Sequence, residues 1–127
     1  MNILVTGGTG FLGRSLIGQL SPHCVSVLGR HQLESNESAH HYGVIDNKSS
    51  YIQALINKEV LIHCAARVHI MDDNSSNPLE AFREVNTHGT LNLAKQAADA
   101  GVKRFIFISS IKVNGESTEL GLPFKPD

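Results

Sequence analysis

The chain has 127 residues, about one domain's worth, and at that length folding buries roughly two thirds of the surface that the unfolded chain exposes. A composition 41% apolar and 18% charged, with 11 Gly and 4 Pro, excludes a disordered tail, a collagen-like rod and a disulfide scaffold. Eleven Lys plus Arg against twelve Asp plus Glu leave a net charge of −1, so no broad field draws the protein to nucleic acid or an anionic membrane, and any bound anion has to be held locally. Cys24 and Cys64 form no CxxC pair and lie in apolar strand-like runs, which points to buried free thiols in a reducing cytoplasm. No apolar stretch reaches the length of a membrane span, and the first residues, Met1 to Gly7, lack the basic head and cleavage site of a signal peptide.

Ile3, Leu4 and Val5 predict a first strand that stops at Thr6 Gly7 Gly8; Leu12, Leu16 and Leu20 then recur at helical spacing up to Pro22. Cys24 to Leu28 predicts a second strand, completing a βαβ unit with parallel strands. Between Arg30 and Ser50 only Tyr42 to Ile45 suggests a strand. Tyr51, Ile52, Leu55 and Ile56 fit one helical face, and Val60 to Ala66 is a nearly continuous apolar run with a single polar residue, His63, as expected of a buried strand. Arg67 to Pro78 is a polar loop. Leu79 to Ala100 predicts one long helix with Leu79, Phe82, Val85, Gly89, Leu93 and Ala97 on its apolar stripe and Gly101 as its stop. Arg104 to Ser110 predicts a fifth strand. The alternation gives an α/β fold, a Rossmann-like doubly wound parallel sheet of about five strands, with no repeat and no linker to a second domain across residues 1–127.

Gly7, Gly10 and Gly13 fall between the first strand and the first helix, and Gly8, Gly10 and Gly13 also spell GxGxxG. A dinucleotide pyrophosphate needs free backbone N–H groups at a helix N-terminus, an unobstructed turn, and a helix packed close to its strand; glycines at these places supply each need. The intervening Phe11 and Leu12 belong to the same cofactor-binding segment. About 20 residues beyond such glycines an NAD site places an acid on the ribose hydroxyls. Gly29 Arg30 His31 stand there instead, and the Arg30 guanidinium suits a 2′-phosphate, with Arg14 as a candidate assistant, so NADP is favoured over NAD. The alternative for Arg30 is a solvated strand end. Asn86 lies on the otherwise apolar stripe, where an amide needs a partner: either neighbouring strand backbone or a water or cofactor group. Ser110 closes the fifth strand at the carboxyl edge, where open α/β sheets bind ligands.

Thr6 to Gly13 as TGGTGFLG, then His63 Cys64 Ala65 Ala66, Asn86 Thr87 His88 Gly89 Thr90, and Ser109 Ser110 with Val113 and Gly115, resemble the extended short-chain dehydrogenase/reductase family along essentially the whole chain. Within it the nucleotide-sugar epimerase/dehydratase group is nearest. The resemblance implies that Gly7, Gly10 and Gly13 carry the pyrophosphate, that Asp46 contacts the adenine, the alternative being an exposed Asp in a turn, and that the backbone of Ala65 and Ala66 passes beside the cofactor. It implies a substrate-lining place for His69 and a catalytic one for Ser110, whose hydroxyl would hydrogen-bond the sugar's reacting oxygen while a Tyr of a YxxxK motif moves the proton. His63 is expected to be a buried, hydrogen-bonded histidine and not a catalyst.

The departure from the pattern is that no YxxxK exists: Tyr42 is followed four residues on by Asp46 and Tyr51 by Leu55, and only 17 residues, 127 less 110, follow the serine. The expectation is therefore the cofactor-binding part of a longer enzyme, inactive alone. Ile111 and Lys112 replace the Asp-Glu pair that dehydratases use, which leaves a 4-epimerase or 4-ketoreductase of a nucleotide-sugar, preferably a UDP-sugar, working by hydride transfer at C4. The rival from another class is a non-catalytic NAD(P) sensor. Partners expected are the dinucleotide, a nucleotide-sugar in the complete enzyme and, by the family's habit of pairing two helices per subunit, a homodimer; without the second helix, Leu79 to Ala100 is expected to leave an apolar strip exposed.

Overall fold

A computed structural model describes residues 1–20, 23–31, 39–66, 77–110, 117–123 and 125. Five parallel strands, β1 (Asn2–Thr6), β2 (Cys24–Gly29), β3 (Ala39–Tyr42), β4 (Val60–His63) and β5 (Arg104–Phe107), form one sheet in the order β3-β2-β1-β4-β5. The order reverses between β1 and β4, so the carboxyl ends of these two strands border the crevice where such sheets take their ligands.

Helix α1 (Phe11–Gln19) covers one face, where Leu16, Ile17 and Leu20 pack on Ile3, Val5, Val60 and Ile62. The other face holds Leu4, Leu28 and Leu61 against Tyr51, Ala54, Leu55, Leu93 and Ala97 from α2 (Ile52–Leu55) and α4 (Thr90–Asp99). Central strands buried on both faces explain the unbroken apolar runs at Ile3–Val5 and Val60–Ile62. Among the described residues no helix is long and apolar enough to cross a membrane.

Several sequence expectations shift. The third strand is Ala39–Tyr42, three residues earlier than its apolar pattern suggested, because pairing with Ser26–Gly29 fixes its place. β2 runs one residue longer, whereas β4 and β5 end at His63 and Phe107, so Ala65, Ala66 and Ser110 lie in the segments beyond the strands. Leu12 is exposed, because α1 turns Gly13, Leu16, Ile17 and Leu20 toward the sheet; Ile52 and Ile56 likewise point outward from the short α2. Neither cysteine is fully buried: Cys24, first in β2, is exposed, and Cys64 is half-buried, with burial pushing its thiol pKa up.

The long helix is not uniform. It begins as α3 (Pro78–Arg83), capped by the Asn77 side chain accepting from the Glu80 N–H at 3.2 Å, with Pro78 in the first turn. It then widens into a π-helical stretch, Glu84–Gly89, before α4. Of the expected stripe, Gly89, Leu93 and Ala97 are buried and Phe82 and Val85 half-buried, whereas Leu79 is exposed. The apolar strip is thus confined to isolated residues, Leu79 and Leu91.

Candidate active site at the carboxyl edge

The glycine turn closes on backbone, with the Gly10 N–H donating to the Gly7 carbonyl. Gly7 takes a positive φ of 72° and lies against β4's extension: a Cβ added there would come within 2.6 Å of the Ala65 nitrogen and 2.7 Å of the Cys64 carbonyl carbon. A Cβ at Gly13 would run into the Gly7 carbonyl and sit 2.8 Å from the Gly8 Cα. Gly8 is a packing glycine, since its Cβ would press on Val27 Cγ1 at 2.7 Å and Ile17 Cδ1 at 3.0 Å. Gly10 is different. It is exposed, and its nearest obstacle is the Gly7 oxygen at 3.4 Å, an ordinary contact, so what a side chain there would obstruct is the space above the turn.

Gly10 donates its N–H to the Gly7 carbonyl at 3.1 Å, and the first α1 bond runs from the Arg14 N–H to the Gly10 carbonyl at 3.0 Å. The N–H groups of Phe11, Leu12 and Gly13 therefore stand ahead of the helical ladder, at the positive end of the helix dipole, with no acidic side chain in the first turn. The Phe11 side chain is 96% exposed, so its contribution to a site is its backbone. A diphosphate fits a bare main-chain cradle of this kind.

Across the crevice the Ala65 N–H donates to Thr6 Oγ1 at 3.1 Å. Thr6 Oγ1 is also 2.6 Å from His63 Nδ1, and His63 Nε2 is 2.9 Å from Thr90 Oγ1. His63 is fully buried, as expected, and burial drives its pKa down to about 4, so the ring is neutral at pH 7. Sequence reasoning missed Thr6 and Thr90, which lie 57 and 27 residues from their partner.

Arg30 is exposed directly after β2, beside the end of β1. Asp46 lies beyond β3 in a tight turn: its Oδ1 accepts from the Lys48 N–H at 2.9 Å and the Ser49 N–H at 2.6 Å. Burial works to raise the Asp46 pKa, but these N–H groups outweigh it and hold the carboxyl low. The turn is braced from behind. Asn92 Nδ2 donates to the carbonyls of Asp46 and Ser49 at 2.9 and 3.0 Å, Gln96 Nε2 donates to Ser49 O at 2.8 Å, and the buried Tyr51 hydroxyl donates to Val44 O at 2.8 Å while accepting from the Asp46 N–H at 3.1 Å. None of these braces was anticipated, although Asn92 and Gln96 form an i, i+4 polar pair flanking Leu93 and Ala97.

Asn86 is half-buried within the π-helical stretch, one turn before the buried Gly89. Ala66 and Ser110 are exposed, and Ser110 lies three residues beyond β5. The structure thus gathers Gly7, Gly10, Gly13 and Ala65 into one cradle and sets Arg30, Ala66 and Ser110 at or just past the same edge of the sheet. His69 and Ile111–Lys112, with Val113 and Gly115, lie outside the described residues.

Comparison with known proteins agrees with this fold. Residues 3–127 match the profile of the NAD dependent epimerase/dehydratase family. The chain is 50% identical over 130 residues to a UDP-glucose 4-epimerase of Vibrio cholerae, covering 99% of this chain and 40% of that protein. Among solved structures, a short-chain dehydrogenase/reductase superfamily protein from Agrobacterium tumefaciens with bound NAD superposes with a TM-score of 0.81 at 27% identity, over 100% of this chain and 38% of the other. The UDP-glucose 4-epimerase of Thermotoga maritima, solved with UDP-glucose, gives a TM-score of 0.77 at 27% identity, over 94% of this chain and 41% of the other. The chain spans about two fifths of the length of these relatives. It belongs to the NAD dependent epimerase/dehydratase family.

Proposed function

We propose that the chain is the nicotinamide-dinucleotide-binding part of a nucleotide-sugar 4-epimerase or 4-ketoreductase, with a UDP-sugar as substrate of the complete enzyme. The observation that carries this reading is the side-chain-free cradle of Gly7, Gly10 and Gly13 facing the Ala65 backbone at the crevice between β1 and β4. The dinucleotide, when bound, supplies a hydride acceptor and donor for C4 of the sugar.

The chain's own residues do the rest. The N–H groups of Phe11, Leu12 and Gly13 take the diphosphate oxygens, Arg30 takes the adenosine ribose or its 2′-phosphate, and the braced Asp46 turn takes the adenine. Ala65, Ala66 and Asn86 line the path toward the reacting end, and Ser110 hydrogen-bonds the sugar's C4 oxygen to orient it for proton transfer; a substrate role for His69 rests on the resemblance alone. That transfer needs a Tyr and Lys in YxxxK, which residues 1–127 do not contain, so the chain by itself binds cofactor without turning over sugar. The 50% identity to a 4-epimerase supports epimerisation over reduction.

Calorimetric titration of the chain with NADH and NADPH tests the reading. Binding of either tighter than about millimolar is expected; failure of both would leave the cradle without its ligand.

A further inference from the structure

We propose that His63 is the positioning residue of the dinucleotide cradle: it fixes Thr6, and through Thr6 the Ala65 amide and the first glycine, in the arrangement that receives a diphosphate. The inference rests on the dinucleotide reading above.

His63 and Thr6 are both 0% exposed and face each other across paired strands, with Thr6 opposite His63 in register. Both ring nitrogens meet hydroxyls, Thr6 on the strand that feeds the glycine turn and Thr90 on the helix that leaves the crevice. The ring is also flanked by Phe107 and Phe105 of β5, each with its ring centre at 6.0 Å. One side chain therefore ties β1, β4, β5 and α4 together directly behind the cradle.

The inventory is compatible with one head-to-tail order of donors. A neutral imidazole offers one N–H and one lone pair, and Thr6 Oγ1 already accepts from the Ala65 N–H. With the proton on Nε2, each bond points the same way: Ala65 N–H to Thr6, Thr6 O–H to Nδ1, Nε2–H to Thr90. Bonds aligned in this way polarise one another. Because Gly7 lies within a Cβ's breadth of the Ala65 nitrogen, a shift of the Ala65 amide is passed on to the turn. The bridge thus acts on the cradle through Thr6 and has no reason to touch the ligand.

The test compares wild type with His63→Phe, which keeps a flat ring and loses both bonds, and His63→Asn, whose amide reaches the Nδ1 position. NADH is titrated by calorimetry and adenosine, which lacks phosphate, by NMR. His63→Phe should weaken NADH by about ten-fold, the worth of one lost hydrogen bond, with adenosine within about two-fold, and His63→Asn should regain part of the loss. Equal NADH affinity in wild type and His63→Phe overturns the proposal, as does a parallel loss for NADH and adenosine, which is what general loosening gives. Should His63→Phe fail to fold, the ring 15N spectrum of wild type decides: a single Nε2–H tautomer whose Nδ1 resonance moves on adding NADH supports the bridge, and a mixed tautomer or an unresponsive ring overturns it. Wild type that binds no NADH removes the dinucleotide reading itself, a failure visible before any variant is compared.

Discussion

Gly89 and Ile45 approach so closely that a Cβ on Gly89 would lie 2.7 Å from Ile45 Cγ2 and 3.0 Å from its carbonyl carbon, with the Asp46 nitrogen at 3.1 Å. The helix can rest on the Asp46 turn only because this position carries no side chain. Replacing Gly by Ala within a helix ordinarily gains up to about 1 kcal/mol, but overpacking against backbone costs about 1–3 kcal/mol, so the second effect should win. Gly89→Ala is expected to destabilise the chain by roughly 1 kcal/mol, and Gly89→Val by more, as read from urea midpoints. A stabilised Gly89→Ala would mean that the turn yields freely.

The three motif glycines should separate into two kinds. Gly7→Ala meets both a positive φ and the Ala65 backbone, so it should lower the melting temperature by several degrees or prevent folding. Gly10 has φ −76° and open space, so Gly10→Val should melt within a degree or two of wild type yet lose NADH at least about ten-fold, since its branched side chain stands where the diphosphate must come. Unchanged NADH affinity in folded Gly10→Val would refute the cradle.

Acid should destabilise the fold through His63. Unfolded, the ring takes its proton near 6.5; folded, burial holds its pKa to about 4, so between those values the unfolded chain binds more protons. Stability from this group is complete above pH 6.5, falls as pH drops toward 4, and is constant below. The shift corresponds to at most about 3 kcal/mol. The lowered His41 pKa, from burial and then Lys58 and His40, and the lowered Asp46 pKa act with the same sign, the latter at more acid pH. Urea unfolding at a series of pH values checks this; a flat profile from pH 7 to 4.5 would contradict the buried neutral ring.

In a protein that continues this chain through a YxxxK helix, Ser110→Ala should lower kcat by about 10² to 10⁴ fold while NADH affinity holds. A fall in NADH affinity instead would make Ser110 part of the cofactor's support.

The parts legible in the sequence are those whose physics is local. The glycine turn declares itself because strand, turn and helix follow within a dozen residues, and β1 and β4 because burial on both faces leaves continuous apolar runs. The third strand was misplaced by three residues because Ala39 to Tyr42 alternates nothing and takes its position from β2. The π-helical stretch was invisible because Val85, Gly89, Leu93 and Ala97 keep a four-residue spacing that an α-helix also satisfies. Thr6, His63 and Thr90 meet only once the sheet is assembled, so although both threonines lie inside motifs, nothing local pairs them with the histidine. The resemblance singles out Asp46 for an adenine contact and not for its turn, and the bracing of that turn by Tyr51, Asn92 and Gln96 depends on where α4 lands.

The proposed role of Arg30 in choosing between dinucleotides can be tested directly. Exposed at the end of β2, it stands where an acid would bind ribose hydroxyls, and its guanidinium can pair with a 2′-phosphate in two parallel hydrogen bonds. Such a contact with a charged group at a solvated position contributes about 1 kcal/mol, or several-fold in affinity, well short of the effect of a buried pair. Arg30→Ala should therefore weaken NADPH several-fold and leave NADH nearly unchanged, measured in one competition series. Arg30→Asp should go further, repelling the phosphate while offering the ribose hydroxyls a carboxylate, so that NADH becomes the tighter ligand. If both variants weaken NADH and NADPH by equal factors, the arginine supports the strand end and does not read the phosphate.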